Sequence, residues 1–176
     1  MVFVREKLKI GEYNYPFAAK VNPFLESEIK KAWDIRGNKP SNIHAHFTGF
    51  HFDRNNKSAQ NLSCWVSDLI RRDFIQHVVD LKCVELWGVL FNEGDYITSH
   101  QHGPSLYSFV YFVNTPKGSS PLVFETSGHK IKPEAGKIVI FESRLIHKVP
   151  PNKCNGRVTI SGNFIYPREV GTFGLQ

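Results

Sequence analysis

From Cys83 onward the apolar residues recur at every second position, in short segments parted by glycine, proline and asparagine. A period of two puts alternate side chains on opposite faces of a strand, so this half of the chain reads as β-structure. The candidate strands are 83-CVELWGVLF-91, 95-DYITSH-100, 106-LYSFVYFV-113, 121-PLVFET-126, 129-HKIK-132, 137-KIVIF-141, 145-LIHKV-149 and 157-RVTISGNFIY-166. The residues before them follow other rules. Asn22 and Pro23 predict a helix start ahead of 24-FLESEIKKAWDIR-36, with Gly37 as its stop. The segment 37–58 is rich in turn formers and reads as loop with at most a short strand. In 62-LSCWVSDLIRRDFIQHVVDLK-82, Trp65, Val66, Leu69, Ile70, Phe74, Val78 and Val79 share one helical face and need a flat surface to lie on. Short strands after two helices predict a mostly β fold with flanking helices, a jelly roll with the N-terminal helices packed on one sheet.

With 176 residues and no linker, repeat or low-complexity tract, the chain is expected to form one domain. Residues 1–82 would be its mixed helical and loop part, 83–166 its β core and 167–176 a tail. No apolar run approaches the roughly 18 residues that span a bilayer. The charged start, MVFVREKLKIGEYNYP, lacks the apolar stretch of a signal peptide. Cys64, Cys83 and Cys154 form an odd set without CxxC spacing, which suits free thiols in a reducing compartment, and a cytoplasmic location is expected. The net charge of +6 permits an acidic partner, nucleic acid included, without favouring one.

The stretch 94-GDYITSHQHGPSLYSFVYFV-113 holds the first chemical signal. Positions i and i+2 of a strand share a face, so His100 and His102 can present two imidazoles to one point while Gln101 faces away. A third imidazole is available at His147 in 141-FESRLIHKVPP-151, and Arg157 follows ten residues later. In the last strand Arg157, Thr159, Ser161 and Asn163 share one face, and Val158, Ile160, Gly162 and Phe164 the other. An ordinary sandwich strand shows the same alternation with its polar face in water. If that face instead looks into the barrel, Arg157 is a buried charge that asks for an anionic ligand, and a carboxylate fits best.

With these residues in place, GDxIxxHxH followed by a strand, then PEAGKIVIFESRLIHKVPP and GRVTISGNF, resembles the iron(II)- and 2-oxoglutarate-dependent oxygenases. The likeness is to their small uncharacterised members whose motif is HxH in place of HxD, and it covers roughly residues 84–166. It implies a double-stranded β-helix holding Fe(II) through His100, His102 and His147, with His102 where the family's carboxylate usually sits. It also implies that Arg157 binds the far carboxylate of the cosubstrate 2-oxoglutarate with Thr159 as helper, and that Pro133, Gly136 and Phe141 form the turn and strand ahead of the distal histidine. The implied reaction couples oxidative decarboxylation of 2-oxoglutarate to hydroxylation of a C–H bond in a small-molecule or peptide substrate. No general base is required. Tyr107, Phe109 and Tyr111 share a face of the following strand and are candidates for the substrate pocket or for plain core packing.

The sequence departs from that pattern twice. The usual facial triad is two histidines and one carboxylate, so three neutral imidazoles leave the metal one unit more positive. Phe91 stands where several relatives carry a tyrosine that touches the cosubstrate, so that hydroxyl is missing. A competing HxD, 51-HFD-53, and a second HxH, 44-HAH-46, lie in the turn-rich segment, which reads better as surface or as a cover for the barrel mouth. His77 and His129 are expected to be structural or exposed.

Two other readings are open. Gly94, His100 and His102 satisfy the start of a cupin signature, but Leu106 and Tyr107 stand where its glutamate belongs, and His147 lies too far past Gly136. The other is a non-enzymatic jelly-roll module whose basic surface binds a polyanion.

Overall fold

The computed structural model describes residues 8–32, 40–75 and 80–167. It opens with strand β1 (Ile10–Asn14), helix α1 (Ala18–Lys31) and two brief strands, β2 (Ile43–His44) and β3 (His46–Phe47). Helix α2 (Lys57–Leu69) follows and runs on through a wider π-helical turn, Ile70–Ile75. The second half contains β4 (Lys82–Phe91), β5 (Tyr96–His100), β6 (Tyr107–Asn114), β7 (Leu122–Phe124), β8 (Lys130–Ile131), β9 (Lys137–Glu142), β10 (His147–Val149) and β11 (Arg157–Ile165). All eight segments with a period of two are strands.

The strands form two antiparallel sheets, a larger one in the order β1-β9-β6-β11-β4-β3 and a smaller one in the order β2-β5-β10-β7-β8. Each inner strand of the larger sheet has two buried faces. On β11, Val158, Ile160 and Phe164 join Leu25 and Ile29 of α1 and Leu62, Val66 and Ile70 of the second helical stretch in one core outside the sheet. Trp87, Val89 and Phe91 of β4, with Phe112, Val139 and Phe141, form a second core that faces the smaller sheet. The expected jelly roll with helices laid on one sheet is the observed arrangement.

The helices depart from expectation for local reasons. Helix α1 begins at Ala18, not at Asn22, and Pro23 lies inside it, where the missing N–H removes one bond of the ladder. Asn22 does not cap the helix. Its Nδ2 donates to the Val113 carbonyl at 2.8 Å and its Oδ1 accepts from the Tyr111 hydroxyl, so its polar groups fasten α1 to β6. Gly37 and residues 33–36 lie outside the described residues; the helix closes with the Ala32 N–H donating to Glu28 at 2.9 Å. Helix α2 starts at Lys57, ahead of the expected Leu62, because the Asn56 side chain accepts from the Ala59 N–H at 3.0 Å. Val66, Leu69 and Ile70 are buried in the helix-side core and Trp65 and Phe74 pack against it, while Val78 and Val79 lie outside the described residues. Gly88 lets α1 approach the sheet: a Cβ there would stand 2.6 Å from Cγ1 of Ile29.

No helix among the described residues is long and apolar enough to cross a membrane. Cys64, Cys83 and Cys154 are free thiols, and burial pushes Cys83 up to about 12.

Candidate metal centre

Strands β5 and β10 pair so that His100 and His147 are direct cross-strand partners. Such partners on one face stand about 5 Å apart, and the two imidazole centroids lie 4.3 Å from each other. Strand β5 stops at His100, so His102 does not sit within it as the HxH spacing suggested. Its position is held from the far side, where the His102 N–H donates to the Ser143 carbonyl at 2.8 Å. The His102 ring thereby comes within 5.0 Å of His147 and 4.8 Å of His100. One nitrogen from each of the three lies within 4.8 Å of the others, and these residues form the one cluster among the described residues with the makings of a metal site.

Backbone acceptors decide which nitrogens face inward. The His100 Nδ1 donates to the Thr98 carbonyl at 2.8 Å and the His147 Nδ1 to the Leu145 carbonyl at 2.7 Å. A ring nitrogen against a carbonyl must carry the proton, which leaves each Nε2 with a free lone pair, as metal-binding histidines require. Nε2 of His102 and Nε2 of His147 face each other at 3.2 Å. Two metal–nitrogen bonds of about 2.1 Å meeting at a right angle put their nitrogens about 3 Å apart, so a divalent cation fits this spacing with little movement. Burial and the neighbouring imidazoles push His102 down to about 2 and His147 to about 4, and burial also lowers His100. All three are neutral at physiological pH and ready to donate lone pairs.

The triad opens onto a cavity of about 490 Å³ between the sheets, which Arg157, Thr159, Ser161 and Asn163 line along β11. This settles the face of that strand: the polar side looks inward, and the polar-face-in-water alternative fails. Arg157 is 0% exposed, and none of its three guanidinium nitrogens has a hydrogen-bond partner among the described residues. Its guanidinium lies 4.3 Å from the centre of the Phe91 ring and 5.6 Å from that of Phe112, an attraction far weaker than a charged hydrogen bond. Burial lowers its pKa to about 9, so it remains a cation at neutral pH. An unpartnered buried guanidinium costs several kcal/mol, and a carboxylate is the group whose shape offsets that cost.

Of the two readings open for Tyr107, Phe109 and Tyr111, pocket wall or core packing, the structure puts them in the core, not on the cavity wall. Phe109 and Tyr111 are buried in the helix-side core and Tyr107 packs against it, edge-on to Phe74. The opposite parity of β6 faces the other way, and Val110 lines the cavity. Neither competing motif reaches the centre: His51 and His44 are exposed, His44 stacks on Tyr96 at 4.3 Å, and Nε2 of His46 lies 2.6 Å from the Ala32 carbonyl. Their segment does border the cavity, through Pro40, Asn42, Ile43 and Phe50. His129 is exposed and His77 lies outside the described residues.

Sequence reasoning missed Glu85, whose side chain also lines the cavity. The signal was present: Glu85 shares its strand parity with Trp87, Val89 and Phe91, which are all buried, so a carboxylate on that parity had to face inward.

Solved structures share this architecture. The viral collagen prolyl hydroxylase from Paramecium Bursaria Chlorella virus-1, solved as its 2OG complex, superposes with a TM-score of 0.71 at 16% identity, over 88% of this chain and 94% of that one. A Pseudomonas putida prolyl-4-hydroxylase gives 0.67 at 19% identity, over 90% and 92%. A Trichoplax adhaerens prolyl hydroxylase, in complex with a hypoxia inducible factor oxygen degradation domain peptide fragment, gives 0.68 at 15% identity, over 89% and 83%. The chain therefore has the fold of these hydroxylases, the double-stranded β-helix that the motifs implied. No protein-family model matches the chain, and no curated protein matches it.

Proposed function

We propose that this protein is an Fe(II)- and 2-oxoglutarate-dependent dioxygenase that hydroxylates a small molecule or a peptide. The observation that carries this reading is Arg157, a fully buried cation with no hydrogen-bond partner among the described residues, on the wall of the cavity that holds the histidine triad. A cupin-type metal enzyme has no particular need of that charge, whereas a dicarboxylate cosubstrate does. His100, His102 and His147 would hold the iron, and Arg157 would take the distal carboxylate of 2-oxoglutarate with the buried Thr159 hydroxyl beside it.

Iron and 2-oxoglutarate together would supply the oxidant, using dioxygen and releasing succinate and carbon dioxide as a substrate C–H bond is oxidised. The chain's own contribution is placement. Thr98 and Leu145 aim the imidazole lone pairs, Phe91 and Phe112 hold the guanidinium plane, and the apolar core between the sheets keeps bulk water from the charged end of the cavity. Because all three imidazoles are neutral, a metal held there would keep its full positive charge, which a dianionic cosubstrate would offset. The fold neighbours act on prolyl residues by name, and the Trichoplax adhaerens enzyme holds a peptide, which supports a peptide as one substrate class. The test is succinate release from 2-oxoglutarate with Fe(II) present. Turnover, even without a substrate, is the expected result, and its absence in metal-loaded protein overturns the assignment.

A further inference from the structure

The cavity wall carries charge of both signs, and the proposed chemistry uses only the Arg157 end. Glu85 lies on β4 opposite Asn163 of β11, six residues along that strand from Arg157. Its Oε2 accepts from the Asn163 Nδ2 at 2.7 Å. The carboxylate can only accept, which sets the amide this way round, and the Asn163 Oδ1 accepts from the Ser108 hydroxyl at 2.8 Å, itself 2.7 Å from the Ser143 hydroxyl. Ser108, Ser143 and Asn163 are each at most 3% exposed, so the chain of bonds is fixed by packing as well as by partners. It delivers a donor to one carboxylate oxygen and leaves Oε1 without a partner among the described residues. Among those residues no cation pairs with Glu85, and none but Glu85 puts a carboxylate on the cavity wall.

The geometry points to Glu85 as the recognition group for an organic cation, an alkylammonium or alkylguanidinium on the substrate. Trp87, whose ring lies 5.7 Å from that of His102, marks the metal end of this wall. Glu85 is two residues further along the strand, roughly 7 Å, the reach of a short alkyl arm. A substrate nitrogen on the carboxylate would therefore leave a carbon of the same arm beside the histidine triad. A neutral donor could make one hydrogen bond there but would leave the half-buried carboxylate without a counter-charge, so the site discriminates by charge. This inference rests on the oxygenase reading of the same cavity for its meaning, yet it can be tested alone.

The experiment is thermal unfolding of the full chain at constant ionic strength with n-butylammonium and n-butylguanidinium, against the uncharged n-butanol and n-butylurea. At least one cation is expected to raise Tm saturably and the uncharged compounds are not. Glu85→Gln, which can still accept from Asn163, should weaken the cation at least tenfold, and Glu85→Asp should fall between. Equal response to charged and uncharged compounds, an undiminished response in Glu85→Gln, or no response to either cation overturns the assignment. Titration with Fe(II) and 2-oxoglutarate is scored separately. A cation response without a diacid response removes the oxygenase reading and leaves Glu85 assigned, and the reverse removes Glu85 alone.

Discussion

Arg157 and Phe91 are cross-strand partners on β11 and β4, and the guanidinium lies over the aromatic ring at 4.3 Å. The ring occupies the place of a hydrogen-bonding side chain while offering no acceptor, so the cation is left without a hydrogen-bond partner among the described residues.

Replacing that cation with an apolar side chain of similar length separates its two consequences. Arg157→Met should leave the unliganded protein as stable or raise its stability by about 1–4 kcal/mol, because a buried unpaired charge is removed. The same variant should lose the stabilisation by 2-oxoglutarate, which for wild type approaches about 2.7 kcal/mol at a hundred times the dissociation constant. Chemical unfolding with and without the diacid measures both.

The triad predicts graded metal binding. His147→Ala and His102→Ala should each weaken Fe(II) or Co(II) affinity by about a hundredfold or more, since losing a ligand exceeds the 10–100-fold effect of losing an outer-shell partner. His102→Asp restores two histidines and a carboxylate and should retain binding. Competition with a chelator ranks the three, and tight binding by His102→Ala would exclude His102 as a ligand.

Acid should destabilise the metal-free protein through these histidines. In the unfolded chain they protonate near 6.5, whereas His147 resists until about 4 and His102 until about 2. Between those limits the unfolded state binds more protons, so stability falls as pH drops from about 6.5 towards 4. Urea midpoints across that range should decline more steeply for wild type than for His102→Gln/His147→Gln. Parallel declines would mean the buried imidazoles are not the source.

Docking of α1 depends on the bare backbone at Gly88. Gly88→Ala sets a methyl 2.6 Å from Ile29 Cγ1 and should cost about 1–3 kcal/mol, read as a lower Tm. Ile29→Ala in the same chain should recover part of the Gly88→Ala loss, giving a favourable coupling in a double-mutant cycle.

The β half was legible because strand period and turn residues are local signals, and alternation grouped Arg157, Thr159, Ser161 and Asn163 on one face of β11, but only the fold shows that this face lines the cavity. What escaped depends on distance. Asn22 looks like a helix start in isolation and is engaged by Tyr111 and Val113 instead. Among the described residues strand β1 pairs with β9 alone, and 10-IGEYN-14 is too short to announce itself. Tyr107, Phe109 and Tyr111 share a parity, but with both faces of β6 buried nothing in the sequence said which one meets the cavity. Glu85 was overlooked although its apolar companions on β4 gave away its direction.

The segment holding Ile43 and Phe47 is hydrogen-bonded to both sheets, through β2 to β5 and through β3 to β4, and it also supplies Ile43 and Phe50 to the cavity wall. It works as a hasp across the open side of the sandwich. His100, His147 and Arg157 sit on paired strands and His102 is tied by its backbone to Ser143, while the strands of the hasp pair over two residues each. Such a layout lets selectivity be rewritten by exchanging a dozen residues around that hasp, with the reactive apparatus left as it is.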